Sequence, residues 1–294
     1  MKPIFPPGSL PDLYPAARPR GRVATIIHRY PAMCAGLVIL SLAFLIAIFA
    51  PLLATHDPAE LNPAQRLLSP SRDDIFGTDM LGRDVYSRVI YGARVSLIVG
   101  FGVAIAATSI GLAIGLFAGY LRILDSVVMR IMDGLMSIPA ILLAVALMAL
   151  VGGSVLNVIL AITIAEIPRV ARLARSTVLK LREQVYVDAA ILAGTRPFAI
   201  AWKHILPNAL SPILVQATYI CASAMVIEAI LSFIGAGTPP TVPSWGNIMT
   251  EGRALWQVKP HIIAFPAVFL SLTVLAVNLV GDGLRDMLDP RQTN

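Results

Sequence analysis

The residues of this 294-residue sequence that could carry chemistry are a few polar side chains inside long apolar runs. An ionisable group in a lipid-spanning helix costs on the order of 3 kcal/mol unless it meets water or a partner. Such a group therefore marks a candidate pathway or helix interface. The candidates are Glu166, Glu228 and Asp282, together with the neutral polar residues Asn157 and Asn278.

These candidates differ in what surrounds them along the chain. Glu228 lies between two uncharged stretches with no basic residue nearby, so it must line a polar pathway, pair between helices or remain protonated. We predict that it lines a translocation pathway or contacts another subunit, and we place Asn157 and Asn278 in the same class. Glu166 has Arg169 three residues later, which favours a locally paired structural carboxylate.

Motifs for covalent or nucleotide chemistry are missing from the sequence. It contains no Gly-x-x-x-x-Gly-Lys-Ser/Thr, no His-Glu-x-x-His and no Gly-x-Ser-x-Gly, and its four histidines are scattered. Cys34 and Cys221 lie in apolar runs and are interpreted as small buried hydrophobes. We therefore predict a chain without catalytic, cofactor-binding or metal-binding residues. Energy for any transport must come from another subunit or an ion gradient.

The composition decides where such a chain resides. Hydrophobic residues make up 57% of the sequence and charged residues only 14%, against about 25% in soluble domains. The mean hydropathy is +0.77 and the net charge +6. These values exclude a cytosolic enzyme, a disordered chain and a coiled coil. They predict an integral membrane protein of helices, because about 20 apolar residues are needed per crossing.

Six crossings account best for the apolar runs. The uncharged run 134–165 is too long for one untilted helix, and Gly152, Gly153 and Ser154 favour a turn inside it. Splitting it there places most of the 23 basic residues on one side, as the positive-inside rule requires. We predict an all-α protein with both termini in the cytoplasm and a disordered tail over 1–30. The spans in the 31–294 domain are about 32–54, 95–121, 131–151, 155–173, 210–235 and 261–283.

Two connecting segments carry patterns of their own. The outer segment 55–94 has an apolar face at Leu81, Val85 and Val89, which predicts a short helix over 79–91 in which Asp84 and Arg88 can pair. The favoured interpretation is that this short amphipathic helix simply leads into the second span.

The inner loop 174–209 reads as a helical hairpin. Val187, Ala190, Ile191 and Gly194 share one face of its first helix, and Gly194 ends that helix. A second helix follows Pro197 and breaks at 207–208. The pattern fits a docking element for a partner and, equally, an amphipathic connector lying on the lipid headgroups.

The hairpin resembles the Glu-Ala-Ala loop of ABC-importer permease subunits. The matching residues are Asp188, Ala189, Ala190, Gly194, Leu206 and Pro207. Asp188 replaces the usual glutamate, and His204 falls where isoleucine is common. Residues 76–84, 228–237, 243–247 and 278–291 resemble the dipeptide/oligopeptide/nickel branch, in the same order. The long outer segment resembles the second of the two permeases in such systems.

The resemblance implies a type I permease in a bacterial inner membrane. It further implies a heterodimer with a homologous permease, two ATPase subunits that bind ATP and Mg, and an extracytoplasmic substrate-binding protein. The loop around 186–207 would couple to the ATPases, and nucleic acid is no partner. Dipeptides, oligopeptides, glutathione-like peptides and nickel chelates stay open as substrates. The alternatives are an ion-coupled carrier using Glu228 and a structural anchor without transport.

Overall fold

A bundle of long helices makes up the part of the chain that the computed structural model describes, residues 28–120 and 122–288. No strand occurs within these ranges, only an isolated bridge between Thr78 and Asp84. The helices are α1 (Pro31–Ile48), α2 (Ala50–Leu53), α3 (Val85–Tyr120), α4 (Arg122–Met136), α5 (Ala140–Val151), α6 (Val155–Arg182), α7 (Val185–Leu192), α8 (Pro197–Ile200), α9 (Leu206–Phe233), α10 (Trp245–Gly252) and α11 (His261–Leu288). Short 3-10 turns lie at Pro63–Gln65 and Arg253–Leu255, and a π-helical turn at Ala201–Ile205.

Helices α3 and α6 form the central pair of the bundle. Gly111 and Gly115 of α3 lie directly against α6, so that a Cβ added at either would come within 2.5 Å of a neighbouring atom. The facing residues are Val170 at the first position, and Ala171 and Ala174 at the second. Small residues at one-turn spacing thus let the two backbones approach closely, as in other membrane helix pairs.

The other long helices pack around this pair. Helix α1 lies on α11, where a Cβ at Gly36 would meet the Ala276 carbonyl at 2.8 Å. Helix α9 lies between α3 and α11, with Gly100 of α3 against Met225. Two ion pairs join α4 to α6, one between Asp125 and Arg175 and one between Asp133 and Arg172. The elements therefore form one packed unit.

Four stretches of the described chain are long and apolar enough to cross a membrane. They are Pro31–Ile48, Val85–Tyr120, Pro197–Phe233 and His261–Leu288. Helices α4 and α5 make a fifth candidate that bends by 88° at 137–139, within the span predicted for 131–151. The predicted span 155–173 lies in α6, which carries Glu166, Arg169 and Arg172 there. Six crossings and cytoplasmic termini stay predictions, and most of the 1–30 tail lies outside the described residues.

Of the two breaks predicted at turns, one is confirmed and the other is wrong. The split at 152–154 is confirmed, because α5 ends at Val151 and the Ser154 side chain caps α6 by accepting a hydrogen bond from the backbone N–H of Asn157. The predicted break at 207–208 is wrong, since the chain passes from the π-helical turn straight into α9. Pro207 lies just beyond the π-helical turn, where the hydrogen-bonding register of the continuous helix changes.

The helix predicted over 79–91 begins only at Val85. Residues 77–84 instead form a turn, held by the Thr78–Asp84 bridge and by positive φ angles at Gly77 and Gly82. The predicted Asp84–Arg88 pair does not form. Asp84 accepts hydrogen bonds from the amide and hydroxyl of Ser87 instead, at 2.9 and 2.6 Å.

Candidate functional site

The 183–207 hairpin protrudes at the end of the bundle where α3 and α6 finish. Its first helix, α7, closes with hydrogen bonds from the Gly194 amide to Ile191 and from the Thr195 amide to Ala190. Gly194 has φ +77°, a left-handed conformation that glycine adopts without strain. This is a common helix ending, and it confirms the prediction that Gly194 ends the helix.

A small apolar cluster fixes the hairpin to the bundle. Val187, Ile200 and Ile205 are buried against Val178 of α6, with Tyr120 of α3 beside them. The two long helices are also joined directly, since Arg182 donates a 2.8 Å hydrogen bond to the Gly119 carbonyl. Because interiors are close-packed, a displacement of the hairpin is transmitted to both helices.

Other apolar side chains of the hairpin are exposed. Leu192 and Val185 of α7 are 89% and 82% exposed, and Phe198 of α8, which borders an apolar cavity against α3, is 74% exposed. Exposed apolar side chains at the end of a bundle suit contact with a protein partner or with lipid. Of the four residues predicted to share one face, Val187 and Ala190 pack against the bundle, whereas Ile191 and Gly194 are exposed.

The residues that carry the family resemblance divide between these two sides. Asp188, Ala189 and Gly194 are exposed, and no atom lies within 4 Å of the position that a Cβ on Gly194 would take. Ala190 is half-buried against the apolar cluster. The set therefore combines an anchor and an open surface. At the base of the hairpin, half-buried Leu206 and exposed Pro207 begin α9.

A second feature is a cavity of about 540 Å³ among α5, α6, α9 and α11. Glu166 and Arg169 line it from α6, Tyr219 from α9 and Asn278 from α11. The Arg169 guanidinium lies 3.1 Å from the Glu166 carboxylate, which confirms the local pair. The Tyr219 hydroxyl donates a 2.6 Å hydrogen bond to Asp282.

Glu228 and Asn157 do not line this cavity. Glu228 is completely buried and accepts a 2.9 Å hydrogen bond from Ser232. Ser232 leads into a buried cluster in which Asn247 donates to Thr238 at 2.8 Å, so Glu228 belongs to the junction of α9 and α10. Asn157 donates to the Gly152 carbonyl at 3.0 Å, next to the α5–α6 turn. Roles of Glu228, Asn157 and Asn278 in transport stay predictions.

A buried ion cluster joins the start of α3 to α10. Arg88, only 1% exposed, places its Nη1 atom 2.5 Å from both Asp79 and Glu251. Arg83 contacts the same two carboxylates at 2.7 and 2.5 Å. Burial alone would raise the pKa of Asp79, but the Arg83 backbone N–H and the charges of Arg88 and Arg83 lower it below its ordinary value. Sequence analysis missed this cluster, because Glu251 is 163 residues from Arg88.

Comparison with known proteins identifies the family to which this chain belongs. The family model described as the binding-protein-dependent transport system inner membrane component matches residues 111–294, more than half of the chain. This chain belongs to that family. A second model, the N-terminal TM domain of oligopeptide transport permease C, matches residues 29–70 of the permease. Together they confirm the resemblance to the dipeptide/oligopeptide branch of ABC-importer permeases and a multi-pass location in the bacterial inner membrane.

Relatives cover nearly the whole permease. A probable peptide ABC transporter permease of Sinorhizobium fredii is 51% identical over 92% of either chain. A dipeptide transport system permease of Alkalihalophilus pseudofirmus is 42% identical, over 95% of this chain and 92% of the relative. A glutathione transport system permease of Pectobacterium atrosepticum is 39% identical, over 90% and 88%.

A solved structure supports the fold. The permease superimposes on a chain of the inward-facing methionine ABC transporter MetNI with a TM-score of 0.59 and 21% identity. The match covers 69% of this chain and 96% of that chain.

Proposed function

We propose that this permease is the membrane subunit of an ATP-driven importer of dipeptides or oligopeptides, or of a related small solute such as a nickel chelate. It forms half of a translocation pathway with a second, homologous permease. An extracytoplasmic binding protein delivers the substrate, and two ATPase subunits bind ATP and Mg and hydrolyse the nucleotide. This chain catalyses no covalent step. In this arrangement it crosses the membrane six times, and its termini and hairpin lie in the cytoplasm.

The observation that carries this proposal is the hairpin, which is anchored on one side and open on the other. Leu192, Val185 and Phe198 offer apolar surface to a partner, while Val187 and Ile205 hold the hairpin to α3 and α6. An ATPase pair that grips the hairpin differently in its two nucleotide states would shift the permease between two conformations. The peptide permeases among the relatives support the substrate class.

Glu228 gives little support to an ion-coupled carrier. It is sealed at the junction of α9 and α10 and does not line the 540 Å³ cavity. An ion site needs access from water on each side in turn, so this position does not favour the alternative.

Replacing Gly194 with tryptophan tests the coupling role, because its exposed position admits a bulky side chain that would obstruct a docked ATPase. We expect Gly194→Trp to insert normally, lose co-purification with the ATPase subunits and lose at least about tenfold in uptake. A loss of about 1.4 kcal/mol in docking free energy corresponds to a tenfold loss of affinity, which sets the smallest effect expected. Uptake of a radiolabelled dipeptide into proteoliposomes and pull-down of the ATPases are the measurements.

Gly235→Trp is the matched control. Gly235 also has a positive φ, +82°, and no atom lies within 4 Å of its Cβ position, but it follows α9 at the end of that helix far from the hairpin. The two glycines end their helices with the same pair of backbone hydrogen bonds, so tryptophan imposes a similar strain at both positions. If both variants retain their ATPases equally, the hairpin is not the docking element.

A further inference from the structure

Glu166 is buried at the cavity wall without the partners that a carboxylate requires. Its side chain is 1% exposed, and neither of its oxygens accepts a hydrogen bond from any described residue. An ionised carboxylate offers about four acceptor sites, of which the contact with Arg169 at 3.1 Å occupies at most one. A buried charge of this kind is costly unless something else neutralises it.

The cavity also carries positive character. Arg169 is half-exposed and lines the same space. Helix α5 begins at the cavity wall, where Pro139, Ala140 and Ile141 contribute to the lining and no side chain caps the helix. The N-terminus of a helix presents free N–H groups and a partial positive charge, which transporters use to hold anionic groups of a substrate.

The size and the chemistry together indicate a small zwitterion. A volume of about 540 Å³ lies within the range of small-molecule sites. Glu166 and Arg169 lie side by side on α6, and the N-terminus of α5 contributes to the same lining, so the cavity offers groups of both signs to a molecule that carries an ammonium group and a carboxylate. The 88° bend between α4 and α5 lies beside the cavity, whose polar groups stand out in an otherwise apolar lining.

We propose that this cavity is a binding site for a peptide in transit, in which Glu166 binds the terminal ammonium group while Arg169 and the N-terminus of α5 bind the carboxylate. The site rests on the proposed function and adds to it a place where the permease itself recognises cargo. In the empty cavity, Arg169 balances the charge of Glu166, and the incoming ammonium takes over that role.

A photoreactive dipeptide tests this site without the binding protein, which would otherwise select the cargo. The probe is alanyl-benzoylphenylalanine with free termini, applied to the solubilised permease with its partner subunits, and labelled segments are identified by mass spectrometry. We expect labelling in α6 and α9. The half-saturating concentration should rise about tenfold when the amino group is acetylated, because a charge-assisted contact is lost.

Variants of the permease then separate Glu166 from other carboxylates. Glu166→Gln should raise the half-saturating concentration of the free-amine probe about tenfold and leave that of the acetylated probe unchanged. Asp133→Asn is the matched control, since Asp133 pairs with Arg172 at 2.6 Å on the exposed side of α4 and does not line the cavity. It should change neither value.

Equal labelling of the wild-type protein by the two probes would overturn the site, and so would an unchanged response in Glu166→Gln. The first comparison needs no variant, so it holds even if Glu166→Gln fails to fold. Co-purification of the ATPases reports separately on the proposed function. A complex that assembles and imports but does not distinguish the probes contradicts only the binding site.

Discussion

Arg88 shows at the scale of one residue how the permease keeps charge inside its fold. Its guanidinium is 1% exposed and meets two carboxylates, Asp79 and Glu251, while Arg83 contacts the same pair. Such a cluster persists only when each charge is compensated, and removal of one member leaves one charge of the cluster without compensation. It therefore fixes the segment before α3 against α10.

We expect Arg88→Ala to lower the free energy of unfolding by about 3–5 kcal/mol, because Arg83 alone then faces the two carboxylates of Asp79 and Glu251 and one negative charge is left uncompensated. Denaturant titration in mixed detergent micelles measures this change. Arg72→Ala is the control, since Arg72 is exposed and should change stability by less than about 0.5 kcal/mol. Equal stability of the two variants would show that the cluster contributes nothing.

Residue pairs were predictable only where the partners are close in sequence. The Glu166–Arg169 pair follows from a spacing of three, and the structure contains it. The same rule failed for Asp84 and Arg88, because Ser87 satisfies Asp84 and a distant glutamate attracts Arg88. Sequence spacing shows which side chains can reach each other, whereas the fold decides which of the possible partners lies nearest.

At the scale of elements, close contact between helices depends on glycine. Without a driving force from water, helices in lipid associate through van der Waals contact, which small residues permit. Gly111 and Gly115 give α3 such a surface against α6. Helix α6 also bears Glu166 and supports the hairpin at Val178, so this contact connects the hairpin to the cavity.

Gly115→Ala should destabilise the permease, since the new methyl group would lie 2.5 Å from the Ala171 carbonyl oxygen and the Ala174 Cβ. Overpacking of this kind costs about 1–3 kcal/mol. Gly134→Ala, on α4, has open space around it and should be neutral or gain about 1 kcal/mol from helix propensity. Thermal unfolding of both variants in detergent measures the difference, and a Gly115→Ala protein as stable as Gly134→Ala would contradict the packing.

Helix ends were easier to predict than helix continuity. Gly194 and the 152–154 turn stop helices for local reasons that are visible in the sequence. The bend at 137–139 does have a local signal, since Pro139 directly precedes α5, whereas no local pattern predicts the π-helical turn at Ala201–Ile205. The break predicted at Pro207 is absent, because the effect of a proline depends on the helical segment that precedes it in the fold.

For the whole molecule, the proposed function requires the hairpin and the 54–84 segment to lie on opposite sides of the membrane. We expect a cysteine at position 192 to react with a membrane-impermeant maleimide only in inside-out vesicles, and one at position 61 only in right-side-out vesicles. Leu192 and Leu61 are 89% and 59% exposed in the permease, so access limits neither reaction once the ATPase subunits have been stripped from the vesicles. Cys34 and Cys221 are first replaced by alanine. Reaction of both sites from the same side would refute the topology.

The sequence by itself determined that this protein is an integral membrane permease and where its hairpin lies, because hydropathy and short motifs are local properties. Only the tertiary structure decided that Glu166 lines a cavity, that Glu228 is sealed beside α10, and that Arg88 meets Glu251. Each of these depends on which helix faces which. Which helices pair is determined by close packing between residues far apart in the chain. The sequence of a nearly uniform apolar helix therefore gives little indication of the helix that it will face.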